Sequence, residues 1–512
     1  MLQIRNLTIT HLKDLKTIIK DFSFVLNKGD KVAIIGEEGN GKSTLLKLIY
    51  DSSLIDGYAE YEGEIIKKNT KIGYLCQEIS ELDKNKTVYE FISEASYFYD
   101  LDIKELSHIA TSLNINVEIF YSNQKLESLS GGEKVKIQLA RILIDKPNVL
   151  LLDEPSNDID IVTLIWLEKF INSCEIPVIF VSHDEILLSN TANVVIHIER
   201  IKRKTVPRHV IAKMSYQEYI NKRMCKLQHQ EQAAKKEKSE FDKQKDKLTK
   251  IMQKVDNHQD SITRRDPHGA KMLKKKMHTI KAIEKRFEKE YENMTKIPNV
   301  EEAIFIKFSQ KANIPNGKHV ISFSRKELIV ENRILAHNIK LDVIGPEKVC
   351  IVGKNGVGKT TLIKEILKEI NTRKDIKVAY MPQNYEELLD YSATPIQFLT
   401  KTGDKEENSR ICTYLGSLRF TLDEMYHNIN ELSGGQKAKL IFLKLTMGDY
   451  NVLILDEPTR NFSPLSTPVL CKILKDYSGV IISISHDRKY INEIFDTIYE
   501  LDESGLKKIE KW

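Results

Sequence analysis

Leu129-Ser130-Gly131-Gly132-Glu133 and Leu432-Ser433-Gly434-Gly435-Gln436 are two near-identical stretches, 303 positions apart in a chain of 512 residues. In each stretch a serine and two glycines come directly before a segment that reads as a helix. The first backbone N–H groups of a helix have no partner within the helix, and glycines leave them accessible to an anion. Each stretch therefore predicts an anion-binding loop, and the repetition indicates two copies of one domain.

A phosphate-binding loop lies upstream of each stretch. Residues Gly36–Ser43 and Gly353–Thr360 both match G-x-x-x-x-G-K-[ST], and each follows an apolar strand-like segment. In such loops backbone N–H groups and the lysine contact phosphates, and the Ser or Thr hydroxyl binds Mg²⁺. Because only the backbone of Glu37 and Glu38 is expected to face phosphate, we expect their carboxylates to point to solvent. The residues predicted to bind nucleotide are Gly36, Gly39, Asn40, Gly41, Lys42, Ser43, Thr44, Ser130, Gly131, Gly132, Gly353, Asn355, Gly356, Gly358, Lys359, Thr360, Thr361, Ser433, Gly434 and Gly435.

Acidic pairs follow two further apolar segments, at Asp153-Glu154 and Asp456-Glu457. Near-continuous apolar runs are typical of central strands in a parallel sheet, and an aspartate at the carboxyl end of such a strand can bind Mg²⁺. The adjacent glutamates are predicted to be the general bases that polarise the attacking water. Each copy also has a histidine 30 positions after its aspartate. The predicted catalytic residues are Glu154, Glu457, His183 and His486, and the predicted metal ligands are Ser43, Gln77, Asp153, Thr360, Gln383 and Asp456.

Composition indicates a globular protein of two or three domains. The chain is 41% hydrophobic, and its longest apolar runs are far shorter than the roughly 20 residues that span a bilayer. Met1 leads directly into a strand-like pattern, so we expect no signal peptide. The six cysteines are scattered without a C-x-x-C pair, which is typical of free thiols in a reducing cytosol. We therefore expect a cytoplasmic location.

Positive charge is concentrated in the middle of the chain. Residues 201–300 contain 27 Lys and Arg against 13 Asp and Glu, whereas the whole chain carries only +5, so the remainder is net negative. Ile220, Phe241 and Val255 belong to a seven-residue apolar repeat, and a second repeat includes Ile280 and Phe287. Heptad spacing predicts two helices packed along a narrow seam, a hairpin whose tip is expected near residues 256–268. The excess charge favours a polyanionic partner over a plain spacer.

These motifs together resemble the ABC-F family: two ATP-binding cassettes on one chain, with a basic helical linker between them. Leu152-Asp-Glu-Pro-Ser-Asn-Asp-Ile-Asp160 is close to the L-D-E-P-T-N-H-L-D of that family. In the second copy Ser463 stands where an aspartate is usual. The resemblance implies an α/β fold with two tandem P-loop cassettes, at residues 1–200 and 301–512, joined by a long α-helical hairpin linker at 201–300. His11 lies near the usual place of the adenine-stacking aromatic, which leaves stacking and a surface role both open.

The resemblance also implies how the sites are built and what they act on. In cassette proteins the anion-binding loop of one cassette completes the site of the other, so Ser433 is expected to close over ATP held by Lys42, and Ser130 over ATP held by Lys359. A monomer would thus pair its own cassettes around ATP and Mg²⁺. ABC-F linkers enter the E site of the 70S ribosome and reach the P-site tRNA and 23S rRNA near the peptidyl-transferase centre.

The subgroup that this chain resembles protects ribosomes from antibiotics of the lincosamide, streptogramin A and pleuromutilin type. Three alternatives stay open on the sequence. A housekeeping translation factor of the same family would have the same motifs. The ATPase subunit of a membrane exporter would need a separate membrane partner, and the charged hairpin argues against it. A DNA-acting ATPase would usually carry zinc ligands or longer coiled coils.

Overall fold

The computed structural model describes residues 2–201, 205–261, 267–293, 308, 314–330 and 333–510. They form two compact units, one from residues 1–216 together with 301–512, and the other from residues 217–300. The first unit contains both cassettes, and the second contains the linker helices.

The first cassette has a six-stranded sheet in the order β5-β6-β7-β3-β8-β9, parallel except for its last strand, and a three-stranded antiparallel sheet in the order β2-β1-β4. Its strands are β1 (Leu2–His11), β2 (Thr17–Val25), β3 (Lys31–Ile35), β4 (Ala59–Lys67), β5 (Ile72–Leu75), β6 (Val149–Asp153), β7 (Val178–Val181), β8 (Val194–Arg200) and β9 (Val206–Ala212). Its helices are α1 (Lys42–Tyr50), α2 (Glu81–Lys84), α3 (Val88–Ser93), α4 (Ile103–Ser112), α5 (Gly131–Ile144), α6 (Ile161–Ser173) and α7 (Glu185–Thr191), with 3-10 turns at Ser52–Ile55, Val117–Tyr121 and Leu126–Ser128.

The second cassette repeats this plan, with a six-stranded sheet in the order β13-β14-β15-β12-β16-β17 and an antiparallel pair, β10-β11. Its strands are β10 (His319–Val330), β11 (Arg333–Ile344), β12 (Lys348–Val352), β13 (Val378–Met381), β14 (Val452–Asp456), β15 (Val480–Ile484), β16 (Thr497–Asp502) and β17 (Gly505–Ile509). The linker helices are α8 (Tyr216–Ser261) and α9 (Pro267–Asn293). The helices of the second cassette are α10 (Lys359–Ile370), α11 (Pro395–Leu399), α12 (Lys405–Ser417), α13 (Leu422–Tyr426), α14 (Gly434–Thr446), α15 (Thr467–Lys475) and α16 (Arg488–Ile494), with 3-10 turns at Tyr385–Glu387 and Ile429–Glu431.

The parallel core of each sheet determines where functional groups collect. All five residues of β6 and all five of β14 are buried, as the apolar runs predict for strands covered on both faces. The phosphate loops follow β3 and β12, and the acidic pairs follow β6 and β14. In an open parallel sheet these segments meet at the carboxyl edge, which is where ligands bind in such folds.

The linker helices pack along the predicted seam. The rings of Phe241 and Phe287 meet edge to face with centroids 5.7 Å apart, and Ala234, Val255 and Ile280 are buried. The α/β fold with two tandem cassettes and a long helical hairpin is therefore confirmed.

Two details of the linker differ from the sequence-based expectation. Helix α8 continues to Ser261 instead of stopping near residue 256, because the polar residues from Asp256 onward include no helix breaker. Pro267 does not lie in a loop but begins α9, a position where its missing N–H and fixed φ cost nothing. Of the expected tip, residues 262–266 lie outside the described part of the chain. Strand β9 also extends the first sheet to Ala212, beyond the expected boundary at residue 200.

The structure also bears on the cysteines and on membrane-spanning segments. All six cysteines are free thiols. Across the residues that the structure describes, no helix is both long enough and apolar enough to cross a bilayer.

The buried central strands make a direct stability prediction. Leu151, in the middle of β6, is fully buried, and Leu151→Ala should lower the free energy of unfolding by about 2–5 kcal/mol because it leaves a cavity. Leu82, which is 83% exposed, is the matched control. Leu82→Ala should change the free energy of unfolding by less than about 0.5 kcal/mol. Urea unfolding measures both values, and equal losses would contradict the assignment of β6 to the core.

Candidate nucleotide sites at the cassette interface

Each phosphate loop joins a buried central strand to a helix. Gly41 and Gly358, directly before α1 and α10, have φ of 85° and 99°, a left-handed conformation that glycine adopts without strain. A Cβ on Gly36 would lie 2.1 Å from the carbonyl oxygen of Ile198, so a larger residue does not fit there. The positive φ angles and the close approach to Ile198 explain why these loop positions require glycine.

The side chain of Asn40 supports the first loop from within. It is fully buried, its Nδ2 donates to the Ile198 carbonyl at 3.1 Å, and its Oδ1 accepts from Arg200 Nε at 3.1 Å. Arg200 Nη2 also donates to the carbonyl of Gly39 at 3.0 Å. No sequence motif points to Arg200, because it lies at the end of β8, far from the loop along the chain. Thr44 and Thr361 are half-buried in the first turns of α1 and α10.

The two loop lysines are held in the same way. Lys42 Nζ donates to the carbonyls of Gly36 and Glu37 at 2.8 and 3.2 Å, and Lys359 Nζ to those of Gly353 and Lys354 at 2.8 and 2.9 Å. Both ammonium groups therefore lie inside the curve of their loops. A cation in that position can pair with a phosphate bound by the loop.

The candidate Mg²⁺ ligands lie next to the loops, and the donor chemistry fits a hard cation. Ser43 Oγ donates to Asp153 Oδ1 at 2.9 Å, which brings a hydroxyl and a carboxylate together as Mg²⁺ sites require. In the second site both carboxylate oxygens of Asp456 are buried and make no hydrogen bond of normal geometry to the described residues. A buried carboxylate without donors is costly unless a cation is bound. Gln383 and Thr360 line the same cavity as Asp456.

Glu154 lies in a network of hydrogen bonds. Gln77 Nε2 donates to its carboxylate at 3.1 Å, Asn157 donates to the same oxygen, and His183 Nε2 lies 3.2 Å from the other oxygen. Burial raises the pKa of Glu154, but the hydrogen bond and charge of His183 outweigh it and hold the pKa at about 2. The backbone of Glu154 has φ of 51°, a strained conformation for a residue with a side chain.

Glu457, in the second site, has the same backbone strain at φ of 50° but different partners. His486 Nε2 lies 3.7 Å from its Oε1, too far for a hydrogen bond, although the backbone N–H of His486 donates to Oε2 at 3.3 Å. Burial and the charge of Asp456 raise the pKa of Glu457. Burial lowers the pKa of His486 to about 3. The pKa values of the two glutamates are thus shifted in opposite directions.

The anion-binding loops begin α5 and α14 and lie opposite the phosphate loops of the other cassette. Ser130 and Ser433 are the N-cap residues, and each makes a reciprocal capping box with the residue three positions later. Gly435 N–H donates to the carboxylate of Glu38, in the phosphate loop of the first cassette. The structure therefore brings the Ser433–Gly435 loop to the loop of Lys42.

The second pair of loops encloses a cavity of about 990 Å³. Gly131 and Lys134 line it from the first cassette, opposite Lys359 of the second. Asn355 Nδ2 donates to the carbonyl of Asp158 at 2.6 Å, which joins the cassettes beside this cavity. Ser130 and Gly132 are not among its lining residues. The other residues of the second cassette that line it and bear on the predictions are Gly356, Gly358, Thr360, Thr361, Gln383, Asp456, Glu457 and His486.

The expectation that Glu37 and Glu38 point to solvent is wrong. The Glu37 side chain is buried against the second cassette, where its carboxylate pairs with Lys439 and accepts from Ser463 and Ser466. Motifs within one cassette give no sign of these partners, which lie on the other cassette. Pairing of the cassettes covers the Glu37 side chain.

Ionic contacts away from the loops also join the cassettes, and sequence motifs gave no signal for them. Arg488 donates to both Glu168 and Asp184, and Lys489 Nζ donates to Glu185 at 2.6 Å. Arg460, on the second-cassette segment that also carries Ser463, donates to Asp158 at 2.7 Å. The basic residues belong to the second copy, and their acidic partners lie in similar segments of the first copy. Only a comparison of charges at such positions in the two copies could have pointed to them.

Known proteins resemble this chain along most of its length. A family model described as ABC transporter matches residues 19–157 and 336–460. The ATP-binding protein Uup of Buchnera aphidicola subsp. Acyrthosiphon pisum is 30% identical over 504 residues, which cover 96% of this chain and 78% of that protein. ABC transporter F family member 5 of Arabidopsis thaliana is 25% identical, over 96% of this chain and 74% of that protein.

Solved structures share the tandem fold. The archaeal ribosome recycling factor aABCE1, in complex with the ribosomal stalk protein aP1, superposes with a TM-score of 0.59 and 16% identity, covering 98% of this chain and 90% of that chain. RNase-L Inhibitor gives a TM-score of 0.58 and 17% identity, covering 95% and 87%. At such identities the likeness establishes the fold alone. Because the family model covers both cassettes and the relatives match almost from end to end, this chain is an ATP hydrolase of the ABC transporter family and belongs, within it, to the ABC-F proteins.

Proposed function

We propose that this protein binds the bacterial 70S ribosome in the cytoplasm, with two ATP molecules pairing its cassettes within a monomer and the linker hairpin contacting RNA. The observation that carries the proposal is the charge of helix α9. The helix carries eight Lys and Arg against four Glu, and the seven basic residues between positions 271 and 287 are exposed. Such a basic helix fits a phosphate backbone.

Helix α8 differs from α9 in this respect, which argues against a merely solvated hairpin. Over its 46 residues it carries eleven Lys and Arg against eight Asp and Glu, a smaller excess on a longer helix. At 46 residues α8 is about 69 Å long. Solved proteins of the same tandem fold include one described as bound to the ribosome, which supports the choice of partner.

The proposed roles at each site follow from the contacts described above. Lys42 and Lys359 bind the β- and γ-phosphates, and loop N–H groups of the same cassette surround them. Ser43, Gln77 and Asp153 in one site, and Thr360, Gln383 and Asp456 in the other, would hold Mg²⁺, which would neutralise charge on the phosphates during transfer. Glu154 and Glu457 orient and deprotonate water, with His183 and His486 as positioning residues.

Closure of the cassettes follows from the same contacts. Ser130–Gly132 and Ser433–Gly435 are proposed to bind the γ-phosphate of ATP held by the opposite cassette. Bound ATP then joins the two halves, and hydrolysis removes the anion that both halves share. Differential binding of ATP and ADP to the paired state would release the ribosome after turnover.

The finer proposal is that this cycle protects the ribosome from lincosamide, streptogramin A or pleuromutilin antibiotics, with the hairpin entering through the E site toward the P-site tRNA and 23S rRNA. The departure at Ser463 from the usual aspartate supports the protective subgroup by resemblance. A housekeeping translation factor would share every contact described above. No membrane partner is proposed, because a basic hairpin has no role in an exporter.

Replacing both candidate bases tests the ATPase assignment and the partner together. Glu154→Gln with Glu457→Gln should reduce ATP turnover by at least about 10²-fold, since each carboxylate supplies general-base catalysis. ATP binding should persist, and the ATP-bound variant should co-sediment with 70S ribosomes through sucrose.

The control for that experiment is the same double variant with ADP, which should stay in the supernatant. Normal phosphate release by the variant would refute the base assignment. Recovery of the trapped protein with membrane vesicles instead of ribosomes would favour the exporter subunit.

Neutralising one face of α9 tests the RNA contact. Lys271, Lys274 and Lys275 lie at i, i+3 and i+4, and replacing all three with Gln should weaken ribosome binding and reduce its dependence on salt concentration. ATPase activity without ribosomes should be unchanged. Replacing the exposed Lys13, Lys28 and Lys104 of the first cassette with Gln removes the same net charge and is the matched control. An equal loss in both variants would argue for non-specific attraction.

Drug susceptibility separates the two translation functions. A susceptible bacterium that expresses the wild-type chain should tolerate at least fourfold more of a lincosamide, streptogramin A or pleuromutilin, measured as the minimum inhibitory concentration. The same host with the Glu154→Gln, Glu457→Gln variant should gain no tolerance. Unchanged susceptibility to all three drugs would leave the housekeeping factor as the better proposal.

A further inference from the structure

The first phosphate loop carries two acidic residues that the second loop does not. Glu37 and Glu38 correspond to Lys354 and Asn355, at the same positions between the loop glycines. Negative charge inside a loop that binds phosphate opposes the ligand unless the carboxylates are compensated. The structure shows where each carboxylate is bound.

The Glu37 carboxylate is fully compensated by the second cassette. Lys439 Nζ, on α14, donates to it at 2.5 Å, Ser466 Oγ donates at 2.6 Å, and Ser463 Oγ also donates. All three partners are buried. Burial would raise the pKa of Glu37, but the charge of Lys439 and the hydrogen bonds lower it to about 2, so the group is ionised at neutral pH. We call Glu37, Lys439, Ser463 and Ser466 the Glu37 cluster.

The Glu38 carboxylate lies in the anion-binding loop of the second cassette. It accepts a hydrogen bond from Gly435 N–H, and a Cβ built on Gly434 would lie 3.5 Å from it. Gly435 lies in the first turn of α14, where backbone N–H groups and the helix dipole favour an anion. The Gly435 N–H belongs to the Ser433–Gly435 loop, which is proposed above to bind the γ-phosphate of ATP held by Lys42.

The second site differs at each corresponding position. Asn355 has a neutral side chain, and it donates to the backbone carbonyl of Asp158 instead of occupying an anion-binding loop. Asp160 stands where the second cassette has Ser463. An aspartate at 463 would place a second carboxylate against Glu37, whereas serine donates to it. The unusual Ser463 is therefore matched to the acidic loop that faces it.

We propose that Glu38 is an internal ligand of the Ser433–Gly435 loop, that the Glu37 cluster holds it there, and that ATP at the first site must displace it. One N–H group cannot serve a carboxylate and a phosphate at once, and the two anions repel each other. The second site has no such competitor and accepts ATP directly, so the sites fill in order, the Lys359 site before the Lys42 site. This inference rests on the proposed function of the Ser433–Gly435 loop.

Binding of a fluorescent nucleotide to one site at a time tests the proposal. Lys359→Ala disables the second site, and in that background the Kd of mant-ATP with Mg²⁺ reports the first site. Glu38→Asn introduces the residue of the second loop and should lower this Kd at least fivefold. Glu37→Gln, which removes the ion pair with Lys439 but leaves Glu38 in place, should lower it by a smaller factor.

The control is the reciprocal background. In a Lys42→Ala chain, where mant-ATP binds only the second site, Glu38→Asn should change the Kd by less than twofold, which also shows that the variant is folded. An unchanged or raised Kd at the first site would overturn the role of Glu38 while leaving the ATP sites intact. A Kd raised by Glu37→Gln alone would overturn the anchoring by the cluster. Failure of the Lys359→Ala chain to bind mant-ATP, with or without Glu38→Asn, would overturn the proposed first site itself.

Discussion

The structure depends on backbone N–H groups that a single cassette cannot satisfy. The starts of α5 and α14 carry backbone N–H groups that have no partner within their own helix, and each start lies near the phosphate loop of the other cassette. Pairing within one chain brings the two kinds of loop together, so that one anion can accept from both. At the first pair the Glu38 carboxylate accepts from Gly435 N–H. At the second pair a cavity of about 990 Å³ separates the loops.

Motif spacing could predict the elements and which candidate site residues lie together, because these residues are carried by short segments. The strand-to-helix position of Lys42, the hydroxyl of Ser43 beside Asp153, and the closeness of Gln77 and His183 to Glu154 all follow from a parallel sheet with its loops at one edge. Heptad spacing likewise located the seam that Phe241 and Phe287 form. Periodicity does not fix where a helix ends, and α8 extends further than its break suggested.

Features that depend on pairing could not be predicted from one copy of the repeat. Glu37 looks solvent-exposed in the sequence, yet its partners Lys439 and Ser463 lie about 400 positions away on the other cassette. Arg488 and Glu168 gave no motif signal for the same reason. Only the differences between the two copies hint at these contacts. Glu37 stands at the position that Lys354 has in the second copy, and Ser463 stands at the position that Asp160 has in the first. Divergence between repeats marks where the two halves have adapted to each other.

The contact of His183 with Phe462 has a consequence for chemistry in the first site. Nδ1 of the ring lies 2.9 Å from the Phe462 carbonyl oxygen, which can only accept, so this nitrogen carries a proton. Any further proton between the ring and Glu154 must then be shared through Nε2. The tautomer of a residue in one cassette is thus chosen by the main chain of the other. Separation of the cassettes would remove this contact and allow the His183 ring to exchange tautomers. The tautomer that places a proton on Nδ1 would therefore be fixed only while the cassettes are paired.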